Sequence, residues 1–296
     1  GVCTAKVSEA EVMVEGGIRD VLITSEIVGE DKQRRLAYLA KRADVKVCID
    51  NETNLNSLSL VAQEIGSEIG VLIEVDTSMG RAGIRTAEQG VELAVLAESL
   101  ASIKFLGVMS HQTVDGFADK ETRFIEGKRY IDKCLAVKTA IEDHGIEVTI
   151  VSSGETFSYD VAPQIEGVTE VEGGTYALMS GPAKYMEEFS LAGKVLTTVI
   201  DVTETEIVID AGLRCLGGPL GVTPTIEGQD ELTFIEMHDS YSVLTVKGEN
   251  IFRIGQTLFI CTSQQDILVN RWDNFIGVRD GVVEAVWDIS ARGCHH

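Results

Sequence analysis

Short runs rich in β-branched residues alternate with longer amphipathic stretches from residue 1 to about residue 180, the arrangement expected of parallel strands joined by helices. The pattern predicts seven strands, over residues 1–5, 21–24, 47–50, 71–76, 105–111, 148–152 and 169–173. Between them the helical period is legible. Leu58, Val61, Ala62 and Ile65 fall at i, i+3, i+4 and i+7, and Ile131, Cys134 and Leu135 repeat the start of that stripe. Such stripes belong to a core face, not to a site. Ser8 followed by Glu11 reads as a capping box, which starts the first helix directly behind the first strand.

After Gly193 the texture changes to closely spaced strand runs, at 195–202, 206–210, 232–237, 242–246, 257–261, 275–278 and 282–287, as in an antiparallel β domain. Arg279-Asp280-Gly281 separates the last two and signals a tight hairpin, because Asp-Gly readily supplies positive φ. The expected division is a barrel domain over 1–190 and a β domain over 191–296, with no internal repeat and no low-complexity linker. Seven parallel strands are one short of the eight that close a (β/α)₈ barrel. Residue 1 already lies in a strand pattern and is not methionine, so the expectation is a barrel whose first strand and helix precede Gly1. The rival arrangement is an open, doubly wound sheet. It would favour a dinucleotide site only with a GxGxxG after its first strand, and that motif is missing.

Charge narrows the partners. With 47 acidic against 25 basic residues, the formal charge is −22, which argues against nucleic acid or an anionic membrane, since phosphate-rich surfaces would repel the chain. Strong surface charge by itself means no more than solubility. Six cysteines are scattered without a CxxC pair or finger spacing, as expected of reduced thiols in the cytoplasm. No apolar stretch reaches the roughly 18 residues of a membrane helix, and no signal peptide precedes the first strand run.

Barrel enzymes build their sites at the C-terminal ends of strands, and phosphates often settle on the loops after the last two. Those loops read Ser152-Ser153-Gly154-Glu155-Thr156 and Glu172-Gly173-Gly174-Thr175-Tyr176. Small residues let backbone N–H groups approach a phosphate, and the Ser, Thr and Tyr hydroxyls add donors. Taken singly, each loop reads more often as an ordinary tight turn; the two together, both in the expected places, make the phosphate reading its equal. A sharper signal lies at the end of an earlier strand, in Glu74-Val75-Asp76-Thr77-Ser78-Met79-Gly80-Arg81-Ala82-Gly83.

This segment resembles the D-T-G-M-x-R-x-G stretch of the alanine racemase-like barrel family, fold type III of the pyridoxal 5′-phosphate (PLP) enzymes. The order that follows, His111-Gln112, the Ser-Gly-Thr loop, Gly-Thr-Tyr, then an all-β domain ending Val-Trp-Asp-Ile-Ser-Ala-Arg-Gly, is similar to its D-threonine aldolase and D-serine dehydratase branch. The resemblance implies a role for each residue. Arg81 would sit by the phenolic oxygen of PLP. Ser153, Gly154, Thr156, Gly174, Thr175 and Tyr176 would hold its phosphate, with Gln112 also in the cofactor site. His111 would face the substrate's β-hydroxyl. Outside that context Arg81 would read as a solvated charge and His111 as a core histidine. It also implies a homodimer acting on a small D-amino acid.

Three departures bear on the chemistry. The family's cofactor-bearing lysine belongs to the end of the first barrel strand, ahead of Gly1; Lys6 also follows a strand, but the family has a similar Ala-Lys that does not carry the cofactor. The branch's metal ligands, His-x-Asp or His-x-Cys, correspond to Gln264-Gln265-Asp266, so Asp266 keeps the acid while Gln264 replaces the imidazole with a weak neutral donor. Any divalent ion on that pair would be manganese or magnesium rather than zinc. Glu155 stands where the family has a small residue, and an acid there would repel a phosphate unless its side chain points away. The resemblance favours an aldolase that cleaves a β-hydroxy-D-amino acid to glycine and an aldehyde, because Asp266 stands where the dehydratase branch tends to carry cysteine. A D-serine dehydratase-like lyase is the alternative, followed by a racemase. A PLP-binding carrier without turnover is a further reading, disfavoured by the C-terminal β domain.

Overall fold

The computed structural model describes residues 1–112, 114–183, 185–217 and 222–296. The chain divides into two compact units, Gly1–Gly174 with Cys294–His296, and Thr175–Gly293.

The first unit alternates strand and helix: β1 (Val2–Thr4), α1 (Val7–Glu15), β2 (Asp20–Ile23), α2 (Glu30–Ala40), β3 (Asp44–Ile49), α3 (Glu52–Ile65), β4 (Ile69–Glu74), α4 (Ala87–Ser99), β5 (Ile103–Ser110), α5 (Lys120–Asp143) and β6 (Ile150–Ser153). The six strands form one parallel sheet in the order β1-β2-β3-β4-β5-β6. Each strand therefore lies beside its chain neighbour, and right-handed crossovers put every helix on the same face. A doubly wound sheet would reverse its strand order partway, so the open-sheet rival is ruled out. The result is six consecutive parallel strands in (β/α) barrel order.

Two apolar layers follow from strand alternation. Val21, Ile23, Val45, Val47, Ile49, Val71 and Ile73 pack beneath the helices, in one cluster with Leu58, Val61 and Ala62 from the expected α3 stripe. Leu22, Cys48, Leu72 and Met109 fill the opposite, inner face. Helix α5 buries Ile131 and Cys134 as its stripe requires.

Two expectations need correction. The seventh strand is reduced to a single parallel bridge between Ser152 and Glu170. Its ladder is interrupted because the Val151 N–H donates to the Thr169 hydroxyl at 2.8 Å instead of to a carbonyl. The first helix begins at Val7, not behind a Ser8–Glu11 box. Glu9 captures the free N–H groups of Ala5 and Lys6 at 2.8 and 2.9 Å, which fixes the start two residues earlier than expected.

The second unit holds β7 (Lys194–Val202), β8 (Glu206–Ile209), α6 (Leu213–Leu216), β9 (Thr225–Ile226), β10 (Leu232–Met237), β11 (Ser242–Val246), β12 (Thr257–Cys261), α7 (Gln265–Val269), β13 (Asn274–Arg279) and β14 (Val282–Asp288). A six-stranded sheet runs β10-β11-β8-β7-β12-β9, all pairs antiparallel, and β13 and β14 form a separate hairpin. Asp280 and Gly281 turn that hairpin at φ 50° and 76°, as the Asp-Gly signal requires. Among the described residues no helix is long and apolar enough to cross a membrane.

Candidate active site

Polar groups replace the apolar inner layer at the C-terminal ends of the strands. Two residues beyond Cys48, Leu72 and Met109 on their own strands come Asp50, Glu74 and His111, so the pleat carries all three side chains to the inner face. The register agrees, with Glu74 opposite Met109 and Met109 opposite Ser152.

The segment after β4 is a closed loop. Ile84 N–H donates to the Glu74 carbonyl at 2.8 Å and Asp76 N–H to the Ile84 carbonyl at 3.0 Å, so the chain returns to its own starting point. Gly83 closes that return at φ 93°, where an added Cβ would stand 2.8 Å from the Asp76 nitrogen. The loop delivers Arg81 to Glu74, with Nη2 to Oε1 3.0 Å apart. Asp50 binds the same loop by accepting from Gly83 N–H at 3.1 Å.

Glu74 is 5% exposed in this pair while Arg81 is half-exposed, and Glu74 Oε2 makes no hydrogen bond. The Glu26 carboxyl leans on Glu74; burial, then that contact, pushes it up to about 8. Burial raises the Cys48 thiol, and the charges of Glu172, Glu74 and Glu26 raise it further against the pull of Arg81. Four ionisable groups, Glu172, Glu74, Glu26 and Arg81, thus surround Cys48 on the inner face. His111 belongs to the same field. Burial and then Arg81 lower its pKa, opposed by Glu74 and Asp115, so at neutral pH the imidazole is an uncharged base.

The loop after β6 is built on Gly154, at φ 115°, where a Cβ would meet Ala162 Cβ at 2.7 Å and Val171 Cγ1 at 3.2 Å. Thr156 opens a buried 3₁₀ turn, and Glu155 N–H donates to Ser158 Oγ at 2.9 Å. Ser153 Oγ turns away from the inner face, bonded to Ser110 Oγ at 2.8 Å and accepting from Gln112 Nε2 at 2.7 Å. Gln112 is fully buried in that network, which ties the ends of β5 and β6 together. Its amide braces the loop after β6 through Ser110 and Ser153.

Glu172 is the acid that pattern reading passed over. Its N–H donates to the Gly154 carbonyl at 3.1 Å, and its carboxylate accepts from Ser152 Oγ at 2.5 Å. Burial pushes its pKa up to about 7, against the lowering effect of the Ser152 hydroxyl. Glu74 and Glu172 open the two quoted motifs, so strand alternation could have found them. Glu26 carries no such signal.

Gly174 ends the first unit with open space beside its Cα, while Thr175 and Tyr176 open the second unit in a 3₁₀ turn, the Tyr176 ring 6.1 Å from that of Phe189. Gln264 is the N-cap of α7 and Asp266 lies in its first turn. Among the described residues no group of three or more His, Cys, Asp or Glu comes together as a metal site, so this pair stands as one amide and one carboxylate. His238, in the same unit, is engaged by Glu236 at 3.0 Å and stacks on Tyr241.

Residues 1–182 match the family described as "Alanine racemase, N-terminal domain", and residues 192–278 match "Putative serine dehydratase domain". The chain is similar to a 3-hydroxy-D-aspartate aldolase of Paracoccus denitrificans (strain Pd 1222), 33% identical over 99% of this chain and 79% of that protein. A D-threonine aldolase of an Arthrobacter species is 33% identical with the same coverage. The crystal structure of D-threonine aldolase from Filomicrobium marinum superposes with a TM-score of 0.95 at 30% identity, covering 100% of this chain and 83% of that one.

Proposed function

The chain belongs to the alanine racemase N-terminal domain family, the fold type III PLP enzymes, and from that premise we propose that it is an aldolase cleaving β-hydroxy-D-amino acids to glycine and an aldehyde. A PLP-dependent lyase is the broader statement that its relatives support. The observation that carries the narrower one is the meeting of Arg81, Glu74 and an uncharged His111 at the C-terminal ends of β4 and β5, beside the small-residue loop after β6.

The residues present fit the cofactor. Gly154 gives the β6 loop a tight, positive-φ turn packed against Ala162 and Val171, a small-residue turn of the kind that cradles a phosphate, and the buried carboxyls of Glu74 and Glu172 suit a cationic heterocycle. Bound PLP would supply an electron sink for the bond broken at Cα. The chain's own residues do the rest. Arg81, steadied by Glu74, donates to an anionic oxygen, and Ser153, Gly154 and Thr156 shape the phosphate loop. His111 takes the proton of the substrate's β-hydroxyl, which converts that carbon to a carbonyl as the Cα–Cβ bond breaks. Among the described residues no further His, Cys, Asp or Glu joins Gln264 and Asp266 into a metal site, and no role in the cleavage is assigned to them.

The test is incubation of the purified protein with PLP and either D-threonine or 3-hydroxy-D-aspartate. The expected products are glycine and the matching aldehyde, with a visible cofactor band that borohydride abolishes. Release of ammonia and a keto acid in place of glycine would replace the aldolase by a dehydratase.

A further inference from the structure

The loop that delivers Arg81 opens on Asp76-Thr77, and Thr77 is only 2% exposed although it lies beyond the end of β4. Its hydroxyl explains the burial. Strand β4 runs beside β5 with Glu74 opposite Met109, and Val75 N–H adds a backbone rung to the Met109 carbonyl at 2.8 Å. The next rung of a continued parallel ladder would run from residue 77 to residue 111. The chain bends away before it, since Asp76 N–H donates to the Ile84 carbonyl within its own loop. In place of a backbone rung, the Thr77 hydroxyl donates to the His111 carbonyl at 3.2 Å. Thr77 is itself held, because its carbonyl accepts at 2.8 Å from Lys133 Nζ on α5, a charged donor.

His111 needs such a hold. Among the described residues its imidazole makes no hydrogen bond, whereas a working base is ordinarily oriented by a third group on its ring. Orientation must then come from the main chain. On the β6 side, Ser110 and Gln112 flank His111 and are tied to Ser153 at 2.8 and 2.7 Å. On the β4 side, the His111 carbonyl itself is tied to Thr77. The residue is fixed between the two strands that neighbour β5.

We propose that Thr77 is a positioning residue for His111: its hydroxyl, steadied by Lys133, sets the main chain from which the imidazole reaches the substrate's β-hydroxyl. This rests on the reading of His111 as the base. Loss of the hydroxyl would free the end of β5 on its β4 side, and an ångström of misplacement can cost about 10²-fold in rate.

Thr77→Val removes the hydroxyl at nearly constant shape, and Thr77→Ser keeps it. In steady-state cleavage of D-threonine by the full chain loaded with PLP, Thr77→Val should lower kcat by about 10- to 100-fold with KM nearly unchanged, and Thr77→Ser should recover most of the loss. Combination with His111→Ala separates positioning from general damage. In that background Thr77→Val should cost nothing further; an equal loss in both backgrounds, or an unchanged kcat in Thr77→Val alone, overturns the proposal. Lys133→Met, at an exposed helix position where substitution is well tolerated, should give a smaller loss that also vanishes beside His111→Ala. A second measurement needs no turnover. In the cofactor-free protein the ring-nitrogen NMR signal of His111, picked out from the 5 histidines by its loss in His111→Ala, should move in Thr77→Val and return in Thr77→Ser. A signal that stays in place overturns the proposal whatever the rates. His111→Ala with kcat intact overturns the base reading and the proposal with it, whereas a wild type that yields no glycine overturns the aldolase reading alone, and the ring signal then decides the place of Thr77.

Discussion

Burial holds the Glu155 carboxyl, only 8% exposed, at a pKa pushed up to about 8, with the charge of Asp115 adding to the shift. Because the folded value lies above the unfolded one, the stability this group contributes is fully present below about 4.5 and is lost as pH rises through about 8. Glu155→Gln, which mimics the protonated acid, should therefore flatten the fall in melting temperature between pH 5 and 9; an unchanged slope would show that Glu155 is not the group titrating. The carboxyl meets the backbone of Val114, so it turns toward the loop after β5, and protonation removes most of the repulsion a phosphate would feel. The acid at this position is thereby compatible with the phosphate loop at neutral pH. His111 makes the second expectation at this scale. His111→Ala should lower kcat by about 10²–10⁴-fold, the usual worth of a positioned base. Its lowered pKa keeps the base form on the acid side, so the acidic limb of the wild-type rate profile should lie below the ordinary histidine value. Gln264→Ala, a change at the end of a five-residue helix, should be mild by comparison; abolished activity there with His111→Ala nearly intact would reverse the division of roles.

Elements here are positioned by a few backbone contacts that only glycine permits. Gly107 lies where β5 shifts register against β4, and a Cβ on it would stand 1.9 Å from the carbonyl oxygen of Ile150 on β6. Gly107→Ala should separate β5 from β6 and cost more than about 3 kcal/mol, beyond what most surface changes do. Urea unfolding measures it, and a midpoint unchanged from wild type would mean that the sheet yields easily. Gly154→Ala meets side chains rather than backbone and should lower PLP affinity with a smaller loss of stability. These contacts explain what could be read from the sequence. Strand alternation and the α3 stripe are set by residues two to four apart, so β2 to β6 and the inner layer were legible. The Asp280-Gly281 turn was legible for the same local reason. The bridge at Glu170 was not, because one Thr169 hydroxyl decides it across the sheet. The start of α1 depended on Glu9 reaching back to Ala5 and Lys6, which a Ser8–Glu11 pattern concealed. Arg81 could be found from its motif, whereas the gathering of Glu26, Glu74 and Glu172 around Cys48 requires segments following β2, ending β4 and following β6 to meet on one face of the sheet.

The whole chain carries a charge of −22, so pairing every one of its 25 bases would still leave an excess of acid. Exposed pairs such as Arg34–Glu64, at 2.8 Å, contribute about 0–1 kcal/mol each and do not offset a field of that size. The field also reaches the proposed substrates. At neutral pH 3-hydroxy-D-aspartate has a net negative charge and D-threonine has none, so only the former is repelled on approach. Screening shortens that repulsion to about 10 Å at 0.1 M salt. Raising potassium chloride from low to moderate concentration should therefore increase kcat/KM for 3-hydroxy-D-aspartate by up to about tenfold while leaving that for D-threonine nearly level, the low end of the roughly 10–10³ range over which steering acts. Steady-state rates for the two substrates, measured side by side across the salt series, give the ratio directly. A ratio that falls with salt would mean that a local cation, with Arg81 the first candidate, outweighs the net charge of the molecule at the point where the acidic substrate binds. Repeating the series on Arg81→Lys, which keeps the charge but not the fork held by Glu74, would then separate attraction by charge from attraction by geometry.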